Sequence, residues 1–267
     1  KYSEMKDWEK SVVEKVLNPK DKVTVAVVGK YIDLQDAYKS IYEALGHAGI
    51  ANDCRVEIKR FDSEDLEKTD VAEVLKDVKG ILVPGGFGYR GIEGKIKAIG
   101  YARQNNIPFL GLCLGMQCAV IEFARSAAGL KGANSSEFKP KTKYPVISLL
   151  AQQKHVKDLG GTMRLGAYPC RIKKGTRAFS VYKQEVISER HRHRYEFNNS
   201  YRKILEGKGL VFSGVNPKQG LVEIVELPKH PYFIAVQFHP EFQSKPDRSH
   251  PLFREFIAAA MRVPGTG

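Results

Sequence analysis

The chain has 267 residues, of which 42% are hydrophobic, and a formal net charge of +13. That is enough apolar material for one sizeable domain with its own core, and it holds no apolar run near the ~18 residues that a membrane-spanning helix needs, so no membrane partner is expected. The charge invites a polyanion, yet the basic residues are scattered, with small clusters only at 139–143 and 171–177, and no nucleic-acid-binding module accompanies them. The reading is no nucleic acid, but a solvated surface or a face docked on an acidic partner domain. The four cysteines, Cys54, Cys113, Cys118 and Cys170, show no C-x-x-C spacing. With no secretory signal, this points to a reducing, cytoplasmic protein without disulfides or a metal site.

In chain order, residues 1–20 read as a polar amphipathic helix ending at Asn18-Pro19, suited to a linker entering a domain that spans 21–262. The chain opens on Lys1 rather than Met, as a fragment of a longer polypeptide would. Lys22-Val-Thr-Val-Ala-Val-Val28 is a continuous apolar strand closed by Gly29, the pattern of a strand buried on both faces. A helix over 37–49 and a strand over 56–61 follow. The acidic stretch 63–79 is expected to be helical, and Gly80-Ile-Leu-Val-Pro84 is another short buried strand. Strands alternating with helices give an α/β fold class, a mainly parallel central sheet with helices on both faces. In such sheets chemistry collects beyond the carboxyl ends of the strands.

Two glycine-rich segments lie at such ends. Gly86-Phe-Gly-Tyr-Arg-Gly91 matches the dinucleotide-binding pattern, but that role needs an acidic residue about 20 positions on, and residues 105–115 contain none. The competing reading is an oxyanion loop, whose glycines bring backbone N–H groups close to a developing negative charge. Ile107-Pro-Phe-Leu-Gly-Leu-Cys-Leu-Gly-Met-Gln117 reads as a strand over 107–112, a sharp turn at Cys113 and then a helix. Gly111-Leu-Cys-Leu-Gly115 is the cysteine version of the nucleophile elbow. A Cβ on either flank would collide with the neighbouring strand and helix, and the turn sets the sulfur at a helix N-terminus, which favours a thiolate. An isolated cysteine at a strand end is more often plain core; the flanking glycines reverse that reading here.

Residues 131–185 mix turns and short strands. Glu189-Arg-His-Arg-His-Arg-Tyr195 alternates as a strand with Arg190, Arg192 and Arg194 on one face; its histidines lack ligand-spaced companions and read as structural or solvated. Residues 221–227 and 232–238 are strands, the second ending at His239-Pro-Glu241, and a closing helix runs over 251–261. The tail 263–267 is expected to be disordered. A cysteine nucleophile needs a base, and the base an orienting group. In an extended segment i and i+2 point the same way, so Glu241 can hold His239 toward Cys113. That order supports acyl transfer through a thioester.

Gly85-Gly-Phe-Gly88, Gly111-Leu-Cys-Leu-Gly-Met-Gln117 and His239-Pro-Glu241 resemble the motifs of class I (triad) glutamine amidotransferases, a flavodoxin-like group. Asn134-Ser-Ser-Glu-Phe138, Gly160-Gly-Thr-Met-Arg-Leu-Gly166 and Arg190-His-Arg-His-Arg-Tyr195 narrow the resemblance to the C-terminal glutaminase domain of the CTP synthase family. The resemblance implies hydrolysis of L-glutamine to glutamate and ammonia, the ammonia passing to an N-terminal synthetase domain of the same polypeptide. That domain, absent here, would aminate UTP to CTP with ATP and Mg²⁺, while the glutaminase half itself would use no cofactor. The full-length protein would be a homo-oligomer. Carried over by motif, Cys113 is the nucleophile, His239 the base and Glu241 its orienter. Gly86 and Leu114 correspond to oxyanion N–H donors in the substrate site, and Gly115, Met116, Gln117, Glu137 and Arg194 to glutamine-binding residues. Free glutamine carries a carboxylate, which Arg194 can fork onto, and an ammonium, which Glu137 can receive. Two alternatives remain: a γ-glutamyl peptidase-like Cys-His-Glu hydrolase, and a non-catalytic assembly module.

Overall fold

A computed structural model describes residues 2–30, 35–149 and 163–264. The chain enters through α1 (Tyr2–Trp8), a π-helical stretch (Glu9–Val13) and α2 (Glu14–Leu17). Asn18 leaves the helical region at φ −129°, as the residue before a proline must. Next come β1 (Asp21–Gly29), α3 (Lys39–Ala51), β2 (Cys54–Asp62), α4 (Val71–Leu75), β3 (Gly80–Val83), α5 (Ile92–Gln104), β4 (Phe109–Leu112) and α6 (Leu114–Ser126). The second half holds β5 (Ala133–Ser135), β6 (Tyr144–Ser148), β7 (Arg164–Ile172), α7 (Arg177–Tyr182), β8 (Val186–His193), β9 (Glu196–Phe197) and α8 (Arg202–Glu206). It closes with β10 (Val211–Val215), β11 (Val222–Glu226), β12 (Phe233–Val236) and α9 (Pro251–Met261).

The main sheet is nine-stranded, in the order β2-β1-β3-β4-β12-β11-β10-β7-β8. From β2 through β12 every pairing is parallel, in the strand order of flavodoxin-like doubly wound sheets. From β12 outward every pairing is antiparallel. Side-chain alternation sorts the parallel strands onto two cores. Ala26, Val28, Ile81, Val83, Phe109 and Ala235 face one layer with α4, α5 and α6. Val23, Val25, Val27, Leu82, Leu110 and Ile234 face the other, with α3, α7 and α9. Helix α9 opens on Pro251 behind His250, whose side chain accepts the Leu252 N–H at 3.2 Å, a proline-at-N1 start with a side-chain cap.

Two expectations need correction. Residues 63–79 do not form one helix: they hold a 3₁₀ turn (Asp65–Glu67) and then α4. Asp62 Oδ1 accepts the Glu64 N–H at 2.7 Å, and Asp70 Oδ1 accepts the Ala72 N–H at 2.9 Å. These local side-chain bonds end and restart the backbone where a continuous helix would need its own carbonyls. Residues 131–185 are less irregular than their turn residues suggest, because β7 runs unbroken over Arg164–Ile172 with Pro169 inside it. Proline is tolerated there because β10 pairs with β7 only at Arg171 and Ile172, so Pro169 stands on an open edge. The Gly160–Gly161–Thr162 part of the motif quoted above lies outside the described residues, as does the tail from 265.

A small sheet, β5-β6-β9, folds beside the elbow helix. It places the segment after β5, with Glu137, next to the segment before β9, with Arg194 and Tyr195, because β6 pairs with both strands.

Candidate active site

Cys113 sits between β4 and α6 at φ 51°, ψ −100°, a strained conformation for a residue with a side chain. What holds it there is packing. A Cβ on Gly115 would lie 2.1 Å from the Val83 carbonyl oxygen, and one on Gly111 would lie 2.9 Å from the Gly115 backbone and 3.0 Å from Ala235 Cβ. The elbow helix is thus pressed against the ends of β3 and β12, closer than any other residue type permits. The Cys113 N–H donates to Val236 O at 2.7 Å, continuing the β4–β12 register in which Leu112 faces Val236. That bond carries the next residues of β12, Gln237 to Glu241, to the sulfur.

His239 follows, its backbone N–H held by Arg190 O at 2.8 Å and its ring stacked on Phe242 at 5.6 Å. Its Nδ1 is 2.7 Å from Glu241 Oε1. The i, i+2 pairing read from the sequence therefore forms, although His239 and Glu241 enter a 3₁₀ turn (Pro240–Gln243) rather than an extended run. Burial, the largest single influence, pulls the His239 imidazole down. The negative charge and hydrogen-bonding capacity of Cys113 and then of Glu241 together outweigh it and lift the group to about 10. Such a ring holds its proton beside the sulfur, with Nδ1 committed to Glu241 and Nε2 buried on the other side.

The glycine-rich loop 85–91 wraps the opposite side. A Cβ on Gly85 would lie 2.9 Å from His239 Cε1 and 3.5 Å from Cys113 Cβ, and one on Gly86 would lie 3.4 Å from Leu114 Cδ2. Gly86 and the first residues of α6, Leu114 and Gly115, therefore converge beside Cys113. The first turn of a helix leaves its N–H groups without intrahelical acceptors, which suits them to an anionic oxygen. Lys30 Nζ donates to the Phe87 carbonyl, and Lys95, wholly buried, donates to Ser63 Oγ at 2.8 Å and to Gly91 O at 3.5 Å. These contacts anchor the loop at its middle and at its end. Gly91, at φ 68°, then starts α5. The segment is therefore a loop fastened beside a thiol, not a phosphate cradle.

One cavity is lined by Gly86, Phe87, Cys113, Leu114, Gln117, Glu137, Met163, His193, Arg194 and Tyr195. It opens beside a mouth formed by Gly85, Arg192, His239, Glu241 and Phe242. The sequence-predicted residues are thus brought together, except for Gly115 and Met116: both are buried in the first turn of α6, and neither lines the cavity or its mouth. Burial raises the Glu137 carboxyl, opposed by a backbone hydrogen bond from Gly88 and by the charges of Arg194 and Lys30. Arg190 and Arg192 alternate on the exposed face of β8 as expected, but the strand ends at His193 and Arg194 lies beyond it, half-buried on the cavity wall. His191 and His193 face inward. His193 Nε2 is 2.7 Å from Glu196 Oε1, and Arg164 bridges Glu196 at 3.0 Å and Glu223 at 2.9 Å. Sequence reasoning missed this buried network, along with Gln237, Met163 and Tyr195. A larger surface depression, lined by Asp36, Lys39, Tyr42, Glu43, Ile58 and Arg60, holds neither nucleophile nor histidine. Among the described residues no group of three or more His, Cys, Asp or Glu side chains could hold a metal ion.

The glutamine amidotransferase class-I family model matches residues 33–259. The chain belongs to that family. It is 61% identical over 260 residues to the CTP synthase of Carboxydothermus hydrogenoformans, covering 97% of this chain and 48% of the relative. It is 56% identical over 263 residues to that of Bacillus subtilis, covering 98% and 49%. The chain thus spans about half the length of these curated relatives. The solved glutaminase domain of Trypanosoma brucei CTPS, with bound acivicin, superposes with a TM-score of 0.84 at 40% identity, covering 91% of this chain and 95% of that one. As a class I amidotransferase domain, the chain carries the expected α/β fold. Among its described residues no helix is long and apolar enough to cross a membrane.

Proposed function

We propose that this chain hydrolyses L-glutamine to glutamate and ammonia through a thioester on Cys113. The observation that carries the reading is one cavity that presents Cys113 together with a carboxylate, Glu137, and a guanidinium, Arg194. A free amino acid is the substrate that needs both charges. With Arg194 on the α-carboxylate and Glu137 on the α-ammonium, the side-chain amide reaches the sulfur. Thiolate sulfur bonds to the amide carbon, and the C=O electron pair moves onto oxygen, facing the N–H groups of Gly86 and Leu114. Collapse breaks the C–N bond as His239 gives its proton to nitrogen, releasing ammonia. His239, oriented by Glu241, then takes a proton from water. The water oxygen bonds to the acyl carbon, the C–S bond breaks, and glutamate leaves.

In the longer protein, residues 1–20 would link this domain, spanning 21–262, to an N-terminal synthetase half that aminates UTP to CTP with ATP and Mg²⁺. That assembly is a cytoplasmic homo-oligomer in this reading. The sequence relatives, CTP synthases of about twice this length, support the reading of a longer polypeptide. Acivicin, bound in the T. brucei domain, should compete with glutamine here. The deciding experiment compares ammonia release from free glutamine and from γ-glutamyl peptides, with Cys113→Ala as control. Turnover of peptides in preference to glutamine would replace this reading with a γ-glutamyl peptidase. No turnover of either would make the domain an assembly module.

A further inference from the structure

Gln237 is wholly buried, two residues before His239, and the scheme above makes no use of it. Its Nε2 stands 3.6 Å from Cys113 Sγ. The orientation of that carboxamide is set from outside the site. Gln117 Nε2 lies 3.0 Å from the backbone carbonyl oxygen of Tyr195, an atom that can only accept, so the nitrogen end of Gln117 must face it. The same nitrogen lies 3.3 Å from Gln237 Oε1, so that end of Gln237 must be the oxygen. The end facing the sulfur is then the NH₂ group. A fixed backbone acceptor at Tyr195 thereby places, through two side chains, a donor on the sulfur.

We infer that Gln237 is a further catalytic residue, an N–H donor to the Cys113 sulfur, and that Gln117 is the positioning residue that aims it. The inference rests on the reading of Cys113 as nucleophile. A donor favours the anionic form of the atom it faces. The sulfur is anionic before it attacks and again when the thioester breaks, as the C–S electron pair returns to it. The oxyanion loop serves the acyl oxygen, whereas Gln237 serves the leaving sulfur. The amide nitrogen of Gln117 is thus committed to the protein, which leaves its expected contact with glutamine to the amide oxygen. The charged groups around the sulfur are His239 with Glu241 from the end of β12, Arg192 from β8, and Glu137 and Arg194 across the cavity; the variants below keep all of them.

The test alkylates Cys113 with iodoacetamide at fixed pH in the absence of substrate and follows the modified residue by mass spectrometry. Gln237→Leu should slow alkylation roughly tenfold, the worth of one hydrogen bond to a charged group. It should lower kcat for glutamine while KM stays within about twofold. Gln117→Leu, which does not touch the sulfur, should slow substrate-free alkylation by a smaller factor, where a residue that only contacts glutamine would have no effect. The double variant should be no slower than Gln237→Leu alone, because both changes remove one donor. An alkylation rate within about twofold of the parent in folded Gln237→Leu, or multiplicative losses in the double variant, would overturn the inference. Should Gln237→Leu not fold, Gln117→Leu decides: slower alkylation supports the relay and an unchanged rate refutes it. Iodoacetamide asks nothing of glutamine. A protein that passes this test yet releases no ammonia would refute the glutaminase reading and leave the donor assignment standing.

Discussion

The amide of Cys113 donates to the carbonyl of Val236 at 2.7 Å. This bond ties the turn at Cys113 to the strand that delivers His239, so sulfur and imidazole are registered by sheet pairing rather than by loop conformation. Sites built on such rigid elements hold their geometry without substrate. The structure accordingly pairs His239 with Glu241 at 2.7 Å.

Replacing Cys113 by alanine should leave the fold intact and reduce ammonia release from glutamine on the order of 10³-fold or more. Selectivity of labelling follows from the elbow geometry at Cys113 and from the raised thiols elsewhere. Cys54 is pushed up to about 11 and Cys118 to about 12, both first by burial, and Cys170 is pushed up as well. An electrophile shaped like glutamine should therefore modify Cys113 and spare Cys118, as read by peptide mass. Modification at Cys118, or residual turnover in the alanine variant, would contradict the assignment.

Arg194→Ala should raise KM for glutamine far more than it lowers kcat. The α-carboxylate lies several bonds from the reacting amide, and its contact is alike in ground and transition states. His239→Ala should do the reverse, lowering kcat because the leaving amine loses its proton source. Steady-state kinetics on the two variants separates the roles. A collapsed kcat with unchanged KM in Arg194→Ala would show that this guanidinium does not anchor substrate.

Gly115→Ala should be among the most damaging single-methyl changes in the chain. The added Cβ meets a backbone oxygen, Val83 O, at 2.1 Å, and backbone cannot swing aside as a side-chain tip does. Overpacking in a filled core costs about 1–3 kcal/mol, with higher values when backbone must move. Thermal unfolding should show a fall of several degrees or more, together with slower alkylation of Cys113 as α6 is pushed off the end of β3. An unaltered melting temperature would mean that the elbow has slack the structure does not show.

The elbow was legible because its parts are neighbours in sequence and each glycine has a local reason. The same holds for His239-x-Glu241 and for α9, whose proline and apolar spacing mark both ends. The Glu137–Arg194 pairing was accessible only through family resemblance, since the two are joined by a small sheet whose strands are too short to announce themselves. Gln237 was hidden for a different reason. One amide inside the run Phe233-Ile-Ala-Val-Gln-Phe238 reads as an imperfection in a strand, and only the neighbouring Gln117 and Tyr195 show which way it points. Glu223 and Glu226, buried in β11, likewise have partners distant in sequence, Arg164 on β7 and the first N–H groups of α7, and no periodicity in their own segment foretells them.

The inward His191 makes stability depend on pH in a defined sense. Burial first, and then the positive charges of His193, Arg164 and His239, hold His191 down at about 2. An unfolded imidazole titrates near 6.5. With the folded value depressed, the contribution of His191 is whole above about pH 6.5 and is lost as pH falls toward the folded value, at up to ~1.4 kcal/mol per pH unit. Between about pH 7 and about pH 5, the parent should therefore lose about 2 kcal/mol relative to His191→Phe, measured by urea unfolding. Glu223, raised to about 7 chiefly by burial, works in the opposite sense: its contribution is whole below the unfolded value and fades as pH rises through about 7. It is present in both proteins. Parallel pH curves for the two would show that His191 accepts its proton in the native state.

The change from parallel to antiparallel pairing at β12 divides labour as well as geometry. Gly85, Gly86, Cys113, Gln237 and His239 all hang from the ends of β3, β4 and β12. Met163, Arg194 and Tyr195 belong to the β7–β8 wing and Glu137 to the small sheet. In the proposed reaction, bond-breaking groups and amino-acid recognition are thus written in separate stretches of chain, joined by the Gln117–Tyr195 and His239–Arg190 bonds. Both bonds end on backbone carbonyls of the wing, so descent can change the wing's side chains while those carbonyls go on serving the first set. A lineage that changed the side chains of the wing and the small sheet but kept the wing's backbone course would inherit a working thiol relay and a blank specificity, and the same division tells protein engineers which positions to vary when adapting this domain to a different acyl donor.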